Sequence, residues 1–268
     1  MSDTSITVRP PAVAGTFYPS ARDDVQRSLH EAFADAVPRP LDAPIPRAIV
    51  VPHAGYVYSG AIAASAYERI VPARATIHRV VLLGPSHRVP VRGLAVPSVD
   101  AFETPLGLVP IDAAARSLVL EHPAVHVDDG AHALEHSLEV QLPFLQSVLD
   151  DFTLLPMSVG DATSGEVAAV LDGCWGGPET LVVISTDLSH YHRYADAVAL
   201  DARTAAAIVA RRPDAVRDED ACGARPLRGL LQSAVERGLT VEQLDLRNSG
   251  DTAGDLSRVV GYGAFAVG

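Results

Sequence analysis

His53 stands directly after the apolar run "AIVVP", and His87 follows "VVLLG" with only Pro85 and Ser86 between. Asp187 and His190 follow "LVVIS" in the stretch "STDLSHYH". Imidazole and carboxylate are the side chains that most often hold transition metals or move protons near neutral pH. A lone histidine after a strand needs no special account. Three separate apolar runs that each deliver such a group where the strand pattern stops are another matter, because ligand sites of open parallel sheets form outside the carboxyl ends of their strands. Two histidines do not complete a catalytic metal site. An anionic oxygen from elsewhere in the chain would make the 2-His-1-carboxylate arrangement, which leaves positions on iron(II) open to substrate and oxygen. The turn "RNSGDTAGD" offers Asp251 and Asp255 for that place, although ordinary turn chemistry accounts for both as well.

A second polar cluster lies in "GAHALEHSLEVQLPFL". Its spacing predicts a helix on which Glu135 and Glu139 share a face, with His136 beside them and His132 one turn before His136. Helical His-x3-His can bind zinc, but the glutamate order of the metalloprotease motif is missing. His136 and Glu139 therefore read as groups behind the ligands or on the substrate side of a site, and for Glu135 plain surface acid is the alternative.

The elements that must position these residues are legible in the pattern. Runs rich in Val, Ile and Leu recur as "RAIVVP", "RVVLLG", "FTLLPMSVG" and "LVVIST", and between them lie stretches with helical spacing such as "GAIAASAYERI" and "DARTAAAIVARR". This alternation predicts an α/β fold with a central, largely parallel sheet flanked by helices. The Pro- and Gly-punctuated "VRGLAVPSVDAFETPLGLVPI" predicts a hairpin inserted after the second strand. A strand pair, "VEQLDLRNSG" and "VVGYGAFAV", is expected to close the chain. No linker or repeat interrupts residues 1–268, which are read as one domain. Tyr56 and Tyr58 would point in opposite directions if extended, so at most one faces a cavity.

Composition narrows the function classes. The chain has 268 residues, 48% of them hydrophobic, enough for one sizeable core. A formal net charge of −12 without a basic cluster argues against nucleic acid as a partner. No run approaches the roughly 18 apolar residues of a membrane helix, and the start, "MSDTSITVRPP", has no apolar signal core, so a cytoplasmic protein that does not engage membranes is expected. Arginine supplies every basic side chain apart from histidine, which excludes Schiff-base and P-loop lysine chemistry. Cys174 and Cys222 form neither a disulfide framework nor a CxxC knuckle and are read as packing residues.

Six motifs taken in order, "VAGTFYPS", "PHAGYVYSG", "LLGPSH", "EHSLEVQLPF", "STDLSHY" and "SGDTAGDLSRVVGYGA", closely resemble the Memo family, whose bacterial members are called AmmeMemoRadiSam system protein B. The resemblance spans nearly the whole chain. It implies a fold shared with class III extradiol dioxygenases, nonheme iron(II) enzymes that open catechol-type rings. It further implies that His53 and His87 are metal ligands, that His190 handles protons, and that Phe17 and Tyr58 lie near the pocket. Some family members carry a cysteine in the turn before the last strand; this chain has "SGDT" there, and Asp251 is assigned as the third ligand. The resemblance also implies a functional link to radical-SAM and AMMECR1-like proteins.

Together these readings give an expected iron(II)-dependent, dioxygenase-like oxidoreductase. Its ligands would be His53, His87 and Asp251, with His190 as proton-transfer group and Asp187 orienting His190 or a nearby backbone turn. The substrate would be a small, catechol-like or vicinal oxygen compound. Copper or zinc are alternative metals. The alternative functions are a zinc-type hydrolase and a non-catalytic protein that binds metal or peptide.

Overall fold

The computed structural model describes residues 6–268. The four β-branched runs form strands β2 (Ala48–Val51), β3 (Arg79–Pro85), β8 (Thr153–Val159) and β9 (Thr180–Ser185), after a short β1 (Val8–Arg9). The remaining strands are β4 (Leu94–Val96), β5 (Ala101–Thr104), β6 (Gly107–Pro110), β7 (Val125–Val127), β10 (His190–His192), β11 (Val241–Asn248) and β12 (Val259–Val267). The main sheet runs β10-β12-β2-β9-β3-β8-β4-β7, with β11 paired to β12. Its middle is parallel, as is the edge pair β4–β7. β2, β9, β3 and β8 run together, whereas β12 joins β2 and β4 joins β8 antiparallel, so the expected largely parallel sheet is a mixed one. The inserted hairpin is β5–β6, which pairs with β1 in a separate three-stranded sheet.

Helices cover both faces, which is why the central strands are nearly continuous apolar runs instead of alternating with polar residues. They are α1 (Arg22–Ala34), α2 (Tyr56–Tyr67), α3 (Ala113–Val119), α4 (Gly130–Ala133), α5 (Leu142–Val148), α6 (Ser164–Cys174), α7 (Tyr194–Val209), α8 (Ala224–Glu236) and α9 (Ser249–Thr252). The period of two in β2 sends Ala48 and Val50 to one core, with Val167, Ile208 and Leu230 from α6, α7 and α8. Ile49 and Val51 go to the other, with Leu29, Ile62 and Phe144 from α1, α2 and α5. Each fully buried Val, Ile or Leu contributes roughly 1.5–3 kcal/mol relative to exposure. No helix among the described residues is long and apolar enough to cross a membrane.

Register fixes what leaves the carboxyl edge. Val51 of β2 lies opposite Ser185 of β9, and Ile184 of β9 lies opposite Leu83 of β3. The residues that follow these three adjacent strands therefore emerge side by side.

Candidate metal centre

The helix predicted in the stretch 130–145 does not form as one element. α4 stops at Ala133, residues 135–138 cross the sheet edge in an irregular path, and regular structure resumes with a single turn at Glu139–Gln141 before α5. Gly84 explains the path. A Cβ there would stand 2.7 Å from Ser137 Oγ and 3.0 Å from Leu138 Cδ2, so the bare backbone of β3 lets this segment lie directly on it. Ser137 Oγ then donates to Pro85 O at 3.0 Å, and Ser185 Oγ donates to Ser137 O at 2.6 Å, lacing the crossing to the ends of β3 and β9.

That crossing brings His136 to His53 and His87. Ligand nitrogens of the three lie within 4.8 Å of one another, with ring centroids 4.6–5.4 Å apart. Hydrogen bonds fix two of the tautomers. The Ser185 hydroxyl proton is spent on Ser137 O, so Ser185 Oγ accepts from His53 Nδ1 at 2.9 Å, and His53 presents an unprotonated Nε2. Gln141 holds the same hydroxyl from the other side: its Nε2 donates to Ser185 Oγ and Pro52 O, and its Oε1 accepts from Tyr67. His87 Nδ1 donates to Glu135 Oε1 at 2.8 Å, while His87 N–H donates to Oε2 at 2.6 Å. A carboxylate behind an imidazole in this way orients it and raises its basicity as a ligand. His136 Nδ1 is buried without a hydrogen-bond partner, although Glu135 Oε1 lies 3.3 Å away.

Burial keeps His53 and His136 neutral, the form a metal requires. Burial, then the neighbouring His87 and His136, push the His53 pKa well below its ordinary value. Burial lowers His136 to about 4 against the opposing pull of Glu135. Burial by itself would raise Glu135, but hydrogen bonds from His87 and Ser137 outweigh it and hold the carboxyl at about 2. Three converging imidazoles, one buried nitrogen without a partner and a carboxylate behind the ring of His87 fit a divalent transition metal. Cys222, placed just before α8, puts its Sγ 3.3 Å from His53 Nε2 and accepts from Asp187 N–H at 3.2 Å. Burial pushes that thiol up to about 12, so it is protonated.

The histidines open into a cavity of about 640 Å³ whose walls include Phe17, Tyr58, Asp187, His190, Tyr191 and Tyr262. Phe17 packs on His136 at 4.6 Å. Tyr58 faces the cavity and Tyr56 packs inward with its hydroxyl on Val140 O, but the reason is their placement on α2, not the alternation of an extended chain. His190 Nδ1 donates to Leu188 O at 2.7 Å, leaving Nε2 free to accept a proton. Asp187 takes the backbone-turn option: its Oδ1 accepts from His53 N–H at 2.8 Å, and burial, opposed by that bond, raises its pKa. A larger cleft of about 800 Å³, lined by Leu29, His78, Phe152 and Thr153, lies at the amino ends of β3 and β8, where none of these groups is present.

Three expectations need correction by this geometry. Asp251 is not in the histidine group. Its Oδ2 caps α9 by accepting from Asn248 N–H, and its Oδ1 accepts from the Tyr194 hydroxyl at 2.6 Å, so it serves the turn while His136 occupies the third place. Asp255 does reach the cavity wall, but its carboxylate accepts from Ser257 N–H and Oγ–H. Glu139 does not line the cavity either. It is fully buried and accepts from Arg9, Ala12 N–H, Val13 N–H and the Tyr18 hydroxyl. Glu135 is not plain surface acid: it is only 1% exposed and supports His87. Cys222, read as a packing residue, packs beside His53, a neighbour that a lone cysteine 169 residues away cannot announce by spacing.

The fold and site together define an α/β protein with three histidines, spaced as metal ligands are, at the carboxyl edge of its parallel strands. A family model described as "Memo-like protein" matches residues 9–266, and the chain belongs to that family. It is 39% identical over 273 positions to a MEMO1 family protein of Aquifex aeolicus, spanning 95% of this chain and 97% of that one. A MEMO1 family protein of Methanosarcina barkeri is 35% identical over 97% of this chain and 100% of its own. An uncharacterized protein from Escherichia coli K12, known by crystal structure, shares the fold with a TM-score of 0.52 at 15% identity, over 82% of this chain and 99% of its own.

Proposed function

We propose that the protein is a cytoplasmic nonheme metalloenzyme, an iron(II)-dependent oxidoreductase of dioxygenase-like type acting on a small catechol-like or vicinal oxygen compound. The observation that carries this reading is the convergence of His53, His87 and His136 on one point beside an open, aromatic-walled cavity. These three would hold the metal, which would supply redox and oxygen chemistry. His190, held by Leu188 O, would take a proton from the substrate hydroxyl at its free Nε2. Asp187 would fix the turn that carries His53. Phe17, Tyr58 and Tyr262 would position a flat ring and keep water from it. A functional link to radical-SAM and AMMECR1-like proteins belongs to the same proposal.

A second reading is favoured by the all-imidazole donor set, which departs from the 2-His-1-carboxylate pattern and is also a catalytic zinc set. In that case the protein is a hydrolase and His190 assists a water. Metal analysis of anaerobically purified protein, followed by oxygen uptake with catechols, separates the two. Replacing His53 or His136 with alanine should abolish metal retention, whereas Asp251→Ala should keep it. His190→Ala should keep its metal and lose about 10²- to 10⁴-fold in turnover. Because His192 is two residues away, the His190 and His192 double variant is the control. Full metal content in His53→Ala would overturn the assignment.

A further inference from the structure

Most arginines of this acidic chain are tied to carboxylates or carbonyls: Arg69 to Glu242, Arg79 to Asp112 and Arg203 to Asp220, for example. Arg88 and Arg258 are not. Neither makes an ion pair or a side-chain hydrogen bond among the described residues, yet both line the histidine cavity. Arg88 follows the ligand His87 directly. Arg258 comes from the loop before β12, with its guanidinium 5.0 Å from the centre of the Tyr191 ring. Tyr191 itself has φ of 62°, in the left-handed region that an aromatic residue rarely adopts, and it stands 64% exposed. A strained backbone thus holds out an aromatic plate, and a guanidinium rests on it at the cavity wall. Asp187 and Asp255 share the cavity but pair with neither arginine: Asp187 accepts from His53 N–H, and Asp255 from Ser257 N–H and Oγ–H.

We propose that Arg88 and Arg258 bind the carboxylate of an aromatic acid whose ring lies between Phe17, Tyr58, Tyr191 and Tyr262. This rests on the reading of the histidine cavity as metal and substrate site. Guanidinium groups match a planar carboxylate with paired N–H donors, and the cavity volume suits a small molecule of that class. Two guanidiniums without an ion-pair partner at the cavity wall would also select such a ligand against a neutral catechol.

Calorimetric titration of the full chain, metal-free and zinc-loaded, tests the assignment with 3,4-dihydroxybenzoate, catechol, benzoate and inorganic phosphate. The zinc-loaded protein should bind 3,4-dihydroxybenzoate about 10- to 100-fold more tightly than catechol, the range expected of a charge-assisted hydrogen-bonded pair. R88Q and R258Q should each reduce that preference, and the double variant should erase it while zinc content stays the same. Benzoate should bind the metal-free protein with the same arginine dependence, so this arm decides the clamp even if wild-type protein fails to hold zinc and the metal reading falls. Equal affinity for catechol and the acid, a preference that survives in the double variant, or no saturable binding of either acid would overturn the proposal. Phosphate binding as tightly as benzoate, through the same arginines, would overturn the aromatic acid as the ligand.

Discussion

Glu135 and Glu139 are the same residue type four positions apart, both exposed to 1% or less, yet they serve different neighbourhoods. Glu135 faces the cavity edge and spends its oxygens on His87 and Ser137. Glu139 faces away, where Arg9 donates at 2.6 Å and the amides of Ala12 and Val13 and the Tyr18 hydroxyl complete its shell. The first carboxylate tunes a side chain that can hold a metal. The second ties residues 9–18 to the domain, and with them Phe17, which lines the cavity. Burial and charge alone therefore do not identify a functional acid; the identity of the donors does.

The largest effect is expected from breaking the Glu139 side. Glu139→Gln leaves the Arg9 guanidinium, 5% exposed, without its anion, and removing one partner of a buried pair typically costs about 3–5 kcal/mol. Urea unfolding should show this loss, and the double replacement with Arg9→Met should recover a large part of it. A midpoint unchanged in the single variant would show that the pair does not hold the N-terminal segment.

Breaking the Glu135 side should give the opposite profile. Glu135→Gln should weaken zinc or iron binding about 10- to 100-fold, as replacement of a group behind a metal histidine does, while unfolding moves less than in Glu139→Gln. Equilibrium dialysis of metal against both variants sharpens the contrast. Equal metal affinity in the two would erase it.

Acid should bear on both neighbourhoods at once. Burial lowers His132, whose carbonyl accepts from Arg9, to about 4, and His136 to a similar value. Between the ordinary histidine value near 6.5 and about 4, the unfolded chain takes up protons that the folded chain refuses. Stability of the metal-free protein should thus be flat above about pH 6.5 and fall as pH drops through that window, by at most about 3 kcal/mol for His132. His132→Phe should flatten part of this slope in urea unfolding measured from pH 7 to 4. An undiminished slope would assign the acid sensitivity elsewhere.

The strand ends were legible because they depend on local pattern. Apolar runs of four to seven residues specify β2, β3, β8 and β9, and the rule that sites form at carboxyl edges brings His53, His87, Asp187 and His190 together without further information. The mixed flanks were not legible, since β4 and β12 choose their direction through tertiary pairing. His136 was seen as a polar group but given the wrong local frame. A helical period of charged residues ran through 135–139, and only the close approach of Ser137 to Gly84, 53 residues earlier, overrides it. The same override separates Glu135 from Glu139 onto different sides. Asp251 drew attention as an aspartate between glycines, and its capping role is what that local chemistry ordinarily does.

Cys222 offers the smallest and finest test of the boundary between ligand and support. Its Sγ reaches His53 Nε2 across 169 residues of sequence, near the nitrogen that would bind metal. A thiol pushed up to about 12 by burial, with Asp187 adding to the rise, is a poor ligand beside three imidazoles. It instead fills space and accepts from Asp187 N–H, steadying the turn whose carboxylate holds the His53 backbone. Cys222→Ala should therefore leave metal stoichiometry unchanged and shift affinity by no more than about fivefold, less than Glu135→Gln does, because only a support of a support is lost. Cobalt(II) substitution gives a readout independent of stoichiometry: a strong sulfur-to-metal charge-transfer band in the wild type that disappears in Cys222→Ala would make the thiol a fourth ligand. Spectra that match would keep Cys222 in the shell behind His53, alongside Ser185 and Asp187.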